Sequence, residues 1–204
     1  MNLIFFFAYK SFLKTLSYIR RFLDTCFVFL VFKGNNVIFK NIKSTGVPYV
    51  MVAKGGKLII GEKFAMNNGI SGNPIGYYDK CTFFVNNGAK LIIGNNVGIS
   101  QTALICHAGI TIGNNVKLGG GVKVYDTDFH SLDAKIRASK KDSLNKMKAP
   151  IFIKDNAFVG AGSIVLKGVT IGENSIIGAG SLVSKNVPDN EIWGGNPAKF
   201  IKSI

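Results

Sequence analysis

From Ile153 to Val187 the chain repeats in sixes. Ile153, Val159, Val165, Ile171, Ile177 and Val183 hold the first place of each unit. The fifth place is always small or β-branched: Ala157, Ser163, Val169, Ser175, Ser181 and Val187. A period of six is neither the 3.6 of a helix nor the alternation of a lone strand, so it marks a repeat architecture. Each unit can form a short strand and a turn, and three units close a triangular coil. The β-branched first place then points inward, where such side chains pack well on a pleated wall. Gly and Asn at the turns tolerate positive φ. A single coil cannot bury its own apolar face, so coils must stack.

The register can be followed upstream. Leu58-Ile-Ile-Gly61 and Leu91-Ile-Ile-Gly94 share a phrase, and Phe64, Met66 and Ile70 are expected on the wall. Residues 72–82 read as an irregular loop. Ile93, Ile99, Ile105, Ile112, Leu118 and Val124 continue the inward series, with one residue bulging between Ile105 and Ile112. The repeat stops after Val124 and resumes near Ile151. The insertion 126–150 is polar and Lys-rich, and long insertions of this kind are usually functional or disordered. The expected organisation is a β-helix domain over 34–188, an extruded loop at 126–150 and a tail, 189–204, folding over the last coil.

Residues 1–33 differ from the rest. Phe and Leu dominate, while Lys10, Lys14, Ser17, Arg20 or Arg21, and Asp24 recur at three- and four-residue spacing. That pattern predicts an amphipathic helix with one basic face. No uncharged run approaches the ~20 residues that span a bilayer. Two readings stand: the helix covers the open end of the β-helix, or it makes a peripheral contact with a membrane surface. Of the net charge of +14, residues 1–57 carry +8 and residues 130–149 carry +4, which suits anionic partners. No nucleic-acid motif accompanies it. Three cysteines without metal-like spacing, and no secretory signal, point to a reduced cytoplasmic protein.

Three phrases are more specific: Tyr125-Asp-Thr-Asp-Phe-His-Ser-Leu-Asp133, Val159-Gly-Ala-Gly-Ser with Gly168-Val-Thr-Ile-Gly172, and Ile177-Gly-Ala-Gly-Ser-Leu-Val-Ser-Lys185 with Gly195-Asn-Pro-Ala-Lys199. With the repeats they resemble the hexapeptide-repeat acetyltransferases. The likeness is to the maltose and galactoside O-acetyltransferase group, and above all to its capsule and exopolysaccharide O-acetyltransferases. The resemblance implies an all-β fold, a left-handed parallel β-helix, assembled as a homotrimer with sites between subunits. It implies acetyl-CoA as co-substrate, a sugar or polysaccharide hydroxyl as acceptor, and His130 as general base. A neutral imidazole can take the proton of a weakly acidic hydroxyl during attack on a thioester. Asp126 or Asp128 is a candidate to orient it. Ala161 would offer a backbone N–H to the thioester carbonyl. Ala179 matches a place along the pantetheine arm, and Ser184, Lys185 and Lys199 match places near the nucleotide phosphates. Ser100, Gln101 and Asp128 are candidates for the acceptor side. Two histidines cannot supply the three-His zinc site of the carbonic anhydrases that share the fold, so no metal is expected. Transfer to an amino group, or a non-catalytic β-helix scaffold, are the alternatives.

Overall fold

The computed structural model describes residues 3–204. Met1 and Asn2, the first two residues of the expected helical segment, lie outside the described residues. Short parallel strands form three sheets that share one interior. In each coil the chain visits them in turn. Gly109–Ile112 lies on the first face, Lys117–Leu118 on the second and Lys123–Tyr125 on the third. After the insertion, Ile151–Ile153 returns to the first face and pairs in parallel with Gly109–Ile112.

The first-place residues from Ile153 to Val183 are all buried, as are the fifth-place ones from Ala157 to Val187. Each such Ile or Val side chain contributes about 1.5–3 kcal/mol when removed from water. At the turn before the second face, Asn96, Asn115, Asn156, Asn174 and Asn190 all take positive φ, between 57° and 62°. Their side-chain amides bond one above another at 2.8–3.0 Å, a ladder along the stack. At the last coil, Glu191–Gly194 extends the second face, and Lys199–Ser203 turns back antiparallel on it.

Two expected wall residues lie elsewhere. Ile70 falls in a short helical turn, Gly69–Gly72, and is exposed. Ile105 faces outward, while its neighbours Leu104 and Cys106 are fully buried. Gln101 takes a left-handed φ of 42°, and the strand Ala103–Cys106 pairs with Lys123–Tyr125 so that Leu104 stands opposite Val124. With a period of two, that one-residue slip exchanges the faces.

Leu3–Gly34 forms one helix, α1. No Pro, and no Gly before Gly34, interrupts it. It ends where Asn35 Nδ2 donates to the Val31 carbonyl and Asn36 turns to a φ of 54°. Its final turns plug the base of the β-helix: Val28 and Phe32 are fully buried, and Phe32 meets Phe39 and Phe83 edge to face. One turn earlier, the Asp24 carboxylate accepts the Gly46 N–H at 2.6 Å. The preceding turns are exposed. Among the described residues no helix is long and apolar enough to cross a membrane.

Candidate active site

The insertion leaves the corner between the third and first faces through a defined neck. Asp128 N–H donates to the Met147 carbonyl, Ala149 N–H donates to the Asp126 carbonyl, and Thr127 and Lys148 form an antiparallel bridge between them. Asp126 itself is buried. Its carboxylate accepts three backbone N–H groups, from His107, Ala108 and Gly109, at 2.7–2.8 Å. It therefore holds the corner that absorbs the extra length of that coil, and it does not touch His130.

Beyond the neck, Phe129 takes a φ of 64°, uncommon for a residue with a β-carbon. Its ring stands edge-on to Tyr125 and His107. The turn carries His130 outward, its side chain 67% exposed. Nδ1 lies 2.6 Å from a carboxylate oxygen of Asp142, whose other oxygen accepts the Ser131 N–H at 2.7 Å. A carboxylate can only accept, so Nδ1 carries the proton and Nε2 is left as the basic nitrogen. The hydrogen bond from His130, then that from Ser131, holds the Asp142 carboxyl below its usual range. Asp142 was not foreseen. Its signal was present: it and Asp133 are the acidic residues of a Lys-rich stretch, and Asp133 serves as the cap of the helical turn Ala134–Arg137. Asp128 pairs instead with Lys167, at 2.6 Å.

The other singled-out residues fall into two columns. Ser184 and Lys185 follow Leu182–Val183 on the same edge as the loop, between the third and first faces. Ala161 and Ala179 stand on a different edge, between the second and third faces, stacked as Gly180 N–H donates to the Ala161 carbonyl. Lys199 lies above this second column, where Ala198 N–H reaches the Leu182 carbonyl. Among the described residues none accepts from the Ala161 N–H or the Ala179 N–H. A β-carbon at Gly160 would come within 2.5 Å of the Ala179 nitrogen, so glycine permits this close stacking.

Ser100 and Gln101 sit lower on the second column. Gln101 is buried and donates both amide hydrogens to the carbonyls of Gly69 and Asn73. It fastens the loop that lays Tyr77 over Gly121 and Gly162, which leaves its amide no donor for a ligand. Ser100 accepts from Asn67 Nδ2 at 3.2 Å.

Of the remaining nucleophile and base candidates, Cys26 is exposed on α1, while Cys81, Cys106 and His107 are engaged in packing. Burial pushes the Cys81 and Cys106 thiols up to about 12. His107 stacks on Phe84 and receives Asn86 Nδ2 at 3.0 Å from its Nδ1. Burial first, and Lys146 and Lys148 after it, lower its pKa below the ordinary 6.5, although Asp126 opposes them. The unfolded chain then binds the proton more readily. This contribution to stability is complete above the ordinary value and is lost as pH falls below it. The melting temperature is expected to fall between about pH 7 and about pH 5, and to fall less in His107→Gln. Equal slopes in the two proteins would refute this.

The bacterial transferase hexapeptide description, six repeats long, matches residues 150–185. Residues 150–185 thus carry the repeat of the hexapeptide transferases. Protein CapG of Staphylococcus aureus is 50% identical over 95 residues, 47% of this chain and 53% of CapG. Galactoside O-acetyltransferase of Lactococcus lactis is 37% identical over 124 residues, 60% of this chain and 58% of that enzyme. The chain thus spans little more than half the length of these curated relatives. The crystal structure of a hexapeptide-repeat containing acetyltransferase from Vibrio cholerae is 26% identical, with a TM-score of 0.54 over 70% of this chain and 72% of that one. The fold is the left-handed parallel β-helix that the resemblance implied.

Proposed function

We propose that this protein transfers the acetyl group of acetyl-CoA to a hydroxyl of a sugar destined for surface polysaccharide. The observation that carries the reading is the His130–Asp142 pair: an exposed imidazole on an extruded loop, Nδ1 held by a carboxylate, Nε2 open. The similarity to a galactoside O-acetyltransferase supports the acceptor class. Nε2 takes the hydroxyl proton as the oxygen bonds to the thioester carbon. The carbonyl oxygen gains charge, and the unpaired Ala161 N–H suits it as donor. The C–S bond then breaks, and the imidazolium returns the proton to the CoA thiolate. On the acceptor side, the second oxygen of Asp128 is buried without a donor among the described residues. The carboxylate, held by Lys167, must turn outward before a sugar hydroxyl can donate to it.

His130 and Ala161 stand on different edges of one coil stack, so one chain does not bring them together. This supports a homotrimer in which the loop of one copy faces the Ala161–Ala179 column of the next. Sedimentation analysis tests the assembly. Acetyl transfer from acetyl-CoA to a panel of free, nucleotide-linked and lipid-linked sugars, with amino sugars included, tests the reaction. Faster transfer to amines than to every hydroxyl would replace O-acetylation by N-acetylation. No transfer and no thermal stabilisation by CoA would leave a non-catalytic scaffold.

Lys185 and Lys199, both exposed, are proposed to meet the CoA phosphates. The double variant Lys185→Ala/Lys199→Ala is expected to raise KM for acetyl-CoA far more than KM for the acceptor. Each charge-assisted contact accounts for about 1.5–3 kcal/mol at most. If only the acceptor KM moves, this assignment is wrong.

A further inference from the structure

The apolar side of α1 faces away from the protein. Lys10, Lys14, Ser17, Arg21, Asp24, Val28 and Phe32 follow one another at steps of three and four, so they share one face of the helix. That face is the docked one: Val28 and Phe32 are buried, and Asp24 is bonded to Gly46. Phe12, Leu16, Ile19, Leu23 and Leu30 repeat at the same spacing on the opposite side, and each is 45–65% exposed. A helix serving only to close the β-helix would turn this apolar side inward. Here the basic side continues into the docked face, and among the described residues the apolar side is left exposed.

We propose that this face of α1 lies in the interface of an anionic lipid membrane, with the β-helix held on the water side. Three observations select lipid over other occupants. The helix carries five cations, Lys10, Lys14, Arg20, Arg21 and Lys33, against Asp24. That balance complements acidic headgroups and repels the same helix of a second copy. The cations lie towards the water side or the flanks of the apolar stripe, where long side chains reach headgroups while the stripe enters the acyl boundary. The charges also keep the helix too polar to span, which leaves the in-plane orientation. The inference does not depend on the proposed reaction.

The test uses the full chain with vesicles of phosphatidylcholine, alone or mixed with phosphatidylserine. The protein is expected to sediment with the mixed vesicles and to bind phosphatidylcholine alone roughly tenfold more weakly. Added salt should release it. Phe12→Glu/Ile19→Glu/Leu23→Glu, all at exposed positions, should melt like the parent and stay in the supernatant. Lys10→Gln/Lys14→Gln/Arg21→Gln should lose the preference for phosphatidylserine. No sedimentation of the parent at low salt would overturn the proposal. So would sedimentation without vesicles that the glutamate variant abolishes, since the face would then be covered by other copies of this chain.

Discussion

His130→Ala is expected to lower kcat by about 10²–10⁴ while acetyl-CoA binding is unchanged. The side chain is largely exposed, so the substitution removes no packing, and melting temperature and CoA-induced stabilisation should match the parent. The loss should fall on kcat and kcat/KM together, because the proton moves only as the acyl group is transferred. Asp142→Ala supplies the internal control. It leaves the imidazole but frees its orientation, so kcat should fall less, by about tenfold. Near-normal turnover by His130→Ala would remove the base from this loop. Turnover by Asp142→Ala equal to that of the parent would reduce the carboxylate to a structural contact.

Asp126→Ala is expected to destabilise the fold by about 3–5 kcal/mol, since one buried and two part-buried N–H groups lose their acceptor and each unsatisfied buried donor costs about 1–3 kcal/mol. Domains of this size are usually stable by about 5–15 kcal/mol, so the variant should melt far earlier than the parent. Asp126→Asn keeps one side-chain carbonyl acceptor and should fall between them. The same substitution loosens the corner from which the extruded loop departs, so any activity that depends on His130 should be lost well below the melting transition. Equal melting temperatures for the alanine variant and the parent would show that water takes over the three N–H groups.

The coil stack was legible because its period is enforced at every step: each first-place Ile or Val must point inward or the interior opens. Legibility ended where a turn departs from the repeat. Ile105 continues the series by count, yet the left-handed turn at Gln101 moves the strand by one residue, and nothing in the local composition announces that. His130 was visible through its phrase. Its partner was not, because Asp142 is twelve residues away in a stretch without periodicity, and only the fold of the loop returns it. For Gln101 the sequence offered a polar side chain near the right height, but burial and two carbonyl acceptors decide its role. The orientation of α1 was hidden for a different reason. Amphipathicity shows that a helix has two sides, while the docking of Val28 and Phe32 decides which one meets the protein.

The asparagine ladder and the neck of the extruded loop bear together on chain entropy. In an uninterrupted coil, ladder partners Asn156 and Asn174 are 18 residues apart; across the insertion, Asn115 and Asn156 are 41 apart. Loop-closure entropy grows only with the logarithm of length, so this lengthening costs about 0.7 kcal/mol. The neck returns the chain to the place it left, and the ladder bond across the insertion is as short as its neighbours. A stack built this way is nearly indifferent to how many residues leave a corner, provided they come back to it. The contents of that excursion can then change under selection for chemistry while the β-helix beneath stays the same.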